Sequence, residues 1–169
     1  MPRQGHSLLR EGLVAGGLGA AAVAVWFLIT DFAQGRPLST PSILGQVVLF
    51  GITDPAVSPV QTGPLIAYTL LHVGAFILFG IAVTHLFHLA MTSALARFAL
   101  VAVGVVFELF FFMLTFMLFA GTSYLFPWWS VLVANTLALL AMGYYLVGRH
   151  QGLRHSFRQE PLGAEEGTR

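Results

Sequence analysis

The stretch Leu65–Leu89, LIAYTLLHVGAFILFGIAVTHLFHL, decides the fold class, because it holds no Asp, Glu, Lys or Arg from end to end. At ~1.5 Å rise per residue, an apolar helix of this length crosses a hydrocarbon core of ~30 Å. Working outward, a similar run covers about Leu13 to Thr30 before it, and two more cover about Phe98 to Ala120 and Leu125 to Val147 after it. Membrane strands would need about 10 residues of alternating polarity, and no segment has that pattern, so a β-barrel is excluded. The expected fold is all-α: a membrane-spanning four-helix bundle over residues 1–150, followed by a polar cytoplasmic tail, 151–169, expected to be disordered.

Composition agrees. Of 169 residues, 57% are hydrophobic and 9% charged, where a soluble domain averages about 25% charged. A soluble enzyme, a nucleic-acid-binding domain and a disordered chain are excluded together, and the first partner is the lipid bilayer. The net charge of +1 is too small to argue for a polybasic or acidic partner. Cysteine is absent, which removes disulfides, thiolate ligands and thiol nucleophiles.

Arg3 and Arg10 ahead of an apolar run resemble a secretory signal, but Thr30-Asp31-Phe32-Ala33-Gln34 lacks a small-x-small cleavage pattern. A retained first helix is expected. With four spans both ends lie on one side, together with Arg3, Arg10, Arg97, Arg149, Arg154, Arg158 and Arg169, against Arg36 on the other. That bias predicts cytoplasmic N- and C-termini. Trp26, Tyr124, Trp128 and Trp129 then fall at the outer boundary, Tyr144 and Tyr145 at the inner one.

The long outer connection, Asp31 to Gly63, contains the apolar segment Ser42–Phe50, too short to span and expected as a short interfacial helix. Thr40 reads as its N-cap, with Pro41 at the first helical position. Within the first span, Gly12, Gly16, Ala20 and Ala24 recur at intervals of four. Such a ridge lets two backbones approach closely, inside the bundle or between subunits. The phenylalanines of the third span, Phe107 to Phe119, lie on all sides and read as space-filling and lipid-facing.

Polar residues at depth are the candidate functional groups. Glu108 lies about 11 residues past Arg97, hence ~16 Å from the inner boundary. A carboxylate there costs at least ~2.5 kcal/mol, so it should be protonated, paired or facing water. Depth counting places His72 and Asn135 within one or two turns of it, which predicts a buried polar cluster of His72, Glu108 and Asn135. Its role is interhelical bonding or, in a sharper reading, proton handling by a small proton or ion conductor using His72 and Glu108.

His85 and His88, about 60° apart on one helix, face the inner boundary with His150 at the same level. Haem b or a transition metal held there would make the chain a redox membrane protein. No His-box series, aspartate pair, nucleophile elbow, phosphate loop or dinucleotide fingerprint is found, and no catalytic residue is assigned.

The segment Trp26-Phe-Leu-Ile-Thr-Asp31-Phe-Ala-Gln-Gly-Arg36-Pro-Leu-Ser-Thr-Pro41 resembles the opening of a group of small bacterial four-helix integral membrane proteins with no assigned activity. The likeness runs loosely over all four spans, down to Trp128-Trp129 and Asn135. It implies a bacterial inner-membrane setting and carries over no functional residue. The function expected is a non-catalytic structural or accessory subunit of a membrane protein complex, partnered by other subunits or by itself as a homo-oligomer, with no nucleic acid and no assigned cofactor.

Overall fold

The computed structural model describes residues 5–90, 94–118 and 128–149. All regular structure there is helical: α1 (Gly5–Ala33), α2 (Ser39–Phe50), α3 (Thr62–Ala90), α4 (Ala94–Leu118) and α5 (Trp128–Arg149). Three of these hold segments long and apolar enough to cross a membrane, Leu8–Ala33, Thr62–Ala90 and Trp129–Arg149. Among the described residues of α4 the apolar segment is Phe98–Leu114. The helices start earlier or end later than the apolar runs, as α1 and α3 do at both ends. Backbone hydrogen bonding does not stop where hydrophobicity does, and polar residues prolong a helix into the headgroups. The proposed tail 151–169, together with Tyr124 and His150, lies outside the described residues.

Helix α1 packs against α3 and α5, and α4 packs against α3 and α5 from the other side. Shape explains why α1 and α3 run so close. A Cβ on Gly12 would strike the backbone of Ile81, and one on Gly16 would strike the Phe76 carbonyl. A Cβ on Gly80 would meet the backbone of Gly12 and Gly16 in return. Ala20 continues this buried contact, whereas Ala24 is exposed. In lipid there is no hydrophobic drive between helices, so close backbone contact is what holds such a pair together.

The core fills from there with Phe76, Phe87, Phe107, Ala134, Ala138, Met142 and Leu146. Phe107 stacks on Phe79 at 4.3 Å and meets Phe76 edge-on at 6.1 Å. The α4 phenylalanines divide by face: Phe107 is buried, while Phe110 and Phe116 are exposed.

Helix α2 differs from expectation at its start. Thr40 is not the N-cap: Leu38 takes that position in the left-handed conformation (φ 64°), and the helix begins at Ser39. The capping group comes instead from α1, where Asp31 accepts the Thr40 backbone N–H at 2.8 Å and the Thr40 hydroxyl at 2.6 Å. A carboxylate at a helix N-terminus satisfies an otherwise unpaired donor and complements the helix dipole. The far end closes with Gly51 at φ 64°, its N–H bonded to Val47 O and that of Ile52 to Gln46 O. This is the left-handed glycine ending that a Schellman motif requires. Gly45 lets α2 touch α3, since a Cβ there would collide with the Pro64 carbonyl.

Candidate functional site

Depth alone groups His72, Glu108 and Asn135, but their directions differ. Glu108 projects from α4 toward α5, where its Oε1 accepts the Thr136 hydroxyl at 3.0 Å. Asn135 is buried next to it and approaches the same carboxyl group. Its Nδ2 stops short of bonding geometry, and Glu108 Oε2 is likewise buried without a hydrogen bond among the described residues.

His72 turns the other way. Its Nε2 lies 3.3 Å from the Ala20 carbonyl of α1, and because a carbonyl only accepts, Nε2 is the donor and Nδ1 an acceptor. Its ring lies between Tyr68 at 5.8 Å and Phe76 at 4.8 Å. The structure therefore brings Glu108 and Asn135 together and sets His72 apart on the α1 side. Successive turns of α3 and α4 put equal depths on different neighbours.

The histidines at the end of α3 also separate. His85 is exposed. His88 Nε2 meets Glu11 Oε2 of α1 at 3.1 Å, with side chains 22% and 14% exposed. Among the described residues, no three His, Cys, Asp or Glu side chains converge as a metal site would need. His150 lies outside them.

Several polar ties leave no mark in the sequence pattern. Trp26 Nε1 donates to Ser130 Oγ at 3.0 Å, joining α1 to the start of α5, and Trp129 meets Trp26 edge-on at 6.2 Å. The Gln46 amide pairs with both backbone groups of Ala56, at 2.8 and 2.9 Å. Ser42 Oγ accepts the Gln61 N–H at 2.9 Å. Buried polar residues on α2 thus organise the connection to α3 by substituting for backbone partners. The local signal for Asp31–Thr40 was an acid nine residues before a hydroxyl at a helix start. Glu11–His88 had none, because the pair joins opposite ends of two helices.

One cavity stands between α1, α2 and the first half of α3, with a volume of about 440 Å³. Its walls are mostly apolar, and Asp31, Thr40, Tyr68, Thr69 and His72 supply its polar groups. Comparison with models of protein families, with curated proteins and with solved structures finds no match.

Proposed function

We propose that the chain is a multi-pass protein of the bacterial inner membrane with four spans, α1, α3, α4 and α5, and that it acts without catalysis as a structural or accessory subunit of a membrane protein complex. Four crossings are supported by where the helix ends meet. His88 at the end of α3 touches Glu11 near the start of α1. Ser130 at the start of α5 instead touches Trp26, four turns further along α1. This pairing of ends supports a return of the chain between His88 and Ser130 across the same thickness. Helix α4, with 25 residues, is about 37 Å long. Cytoplasmic termini rest on the distribution of arginine.

The accessory role rests on one observation: polar side chains at the outer boundary and at depth tie helices to one another. Trp26–Ser130, His72–Ala20 and Glu108–Thr136 each join two different helices. Such bonds fix a bundle, at about 0.6 kcal/mol each on average. Beside the Glu108–Thr136 tie, α4 exposes Val105, Val106, Leu109, Phe110, Met113 and Phe116. That surface suits lipid or the helix of a neighbouring subunit. Native mass spectrometry of the protein gently extracted from its own membrane tests the proposal. Stoichiometric partner chains are expected. A chain that flies alone, or as a homo-oligomer carrying an extra bound mass, overturns it.

A further inference from the structure

The cavity between α1, α2 and α3 has the size of a small-molecule site, for which about 300–1,000 Å³ is usual. Its room is built into the backbone of α1. A Cβ on Gly17 would meet nothing within 4 Å, and Ala21 and Ala24 extend the same low wall toward Asp31. From Gly17 to Asp31 the wall rises about 21 Å along the helix, enough for an apolar chain within one leaflet.

The polar groups then specify a head. The Tyr68 hydroxyl makes no hydrogen bond with any described residue. His72 offers Nδ1 as an acceptor, because its Nε2 donates to Ala20. Asp31, 1% exposed, presents a carboxylate already oriented by Thr40. A ligand that both donates and accepts hydrogen bonds matches this set. Among the described residues no Arg lines the cavity while a carboxylate does, and like charge opposes a phosphate or carboxylate head.

We propose that the cavity binds an uncharged lipid with a hydroxyl head, its head held between the Asp31–Thr40 end and the Tyr68–His72 face and its tail laid over Ala21 and Gly17. The site requires the chain to lie in a membrane but does not depend on partner subunits, so it stands or falls separately from the accessory role.

A diazirine analogue of 1,2-dioctanoylglycerol, photolysed with the full-length protein in phosphatidylcholine nanodiscs, tests it. Saturable adducts are expected within Gly17–Asp31 and Leu65–Val73, displaced by unlabelled dioctanoylglycerol and not by dioctanoylphosphatidylglycerol. Gly17→Leu fills open space and should lower labelling about tenfold. Gly74→Leu also enters open space but lies off the cavity, and should leave labelling unchanged. Tyr68→Phe should weaken binding about three- to tenfold, the value of one hydrogen bond. Equal competition by phosphatidylglycerol, adducts spread evenly over α4 and α5, indifference to Gly17→Leu, or no saturable labelling would each overturn the proposal.

Discussion

Gly16 and Gly17 are neighbours in sequence and opposites in space, which makes them a controlled experiment on how α1 and α3 pack. A methyl group at Gly16 would come within 2.7 Å of Ile77 Cα and closer still to the Phe76 carbonyl. These are backbone atoms and cannot rotate aside. Restoring ordinary contact distances of about 3.5–4 Å requires the two helices to part by about 1 Å. That movement also loosens the reciprocal contacts of Gly12 and Gly80. Overpacking of this kind costs about 1–3 kcal/mol.

A methyl group at Gly17 meets nothing. Both substitutions gain the same helix propensity, about 1 kcal/mol from Gly to Ala. The difference in stability between Gly16→Ala and Gly17→Ala therefore isolates the packing term, and Gly16→Ala should be the less stable by about 1–3 kcal/mol. Helicity followed through sodium dodecyl sulfate titration in mixed micelles reads it. Equal midpoints for the two variants would refute the close approach of α1 and α3 at Phe76.

Further outcomes follow from the polar ties. Asp31→Ala strands the Thr40 N–H and should cost about 1–2 kcal/mol as a lost cap, seen as faster amide exchange across Ser42–Phe50 with α5 unaffected. Glu108→Gln keeps an acceptor for Thr136 and should change stability by less than about 0.5 kcal/mol, whereas Glu108→Leu should lose about 0.6–1.7 kcal/mol in the same titration. Proton flux into proteoliposomes should be the same for wild type and Glu108→Gln, and a drop in the variant would favour proton handling over bundle fixing. Trp26→Phe removes the bond to Ser130 and should cost about 0.5–1.5 kcal/mol, with Ser130→Ala adding little to it in a double-mutant cycle.

What the amino-acid order reveals here is depth, and what it conceals is direction. The apolar runs mark the helices because crossing hydrocarbon demands length and leaves little room for charge. The run Ser42–Phe50 marks α2 as well, although it is too short to cross. Counting residues puts His72, Glu108 and Asn135 near one level, yet His72 bonds α1 while Glu108 bonds α5. Azimuth depends on which helices become neighbours, and four similar apolar segments do not encode that locally. The same limit hides the Glu11–His88 pair, which needs a second helix in place. Gly45 lies in an apolar run with no local mark, although its missing Cβ is what admits the Pro64 carbonyl.

The number of crossings carries the account, and a chain without cysteine is well suited to measuring it. Single substitutions Ser7→Cys, Thr53→Cys, Ser93→Cys and Ser156→Cys can be labelled in intact and in permeabilised cells with a membrane-impermeant maleimide. Four spans predict that Thr53→Cys reacts in intact cells and that Ser7→Cys, Ser93→Cys and Ser156→Cys react only after permeabilisation. If Ser156→Cys reacted in intact cells along with Thr53→Cys, α4 would not cross, and the four-span account would be wrong.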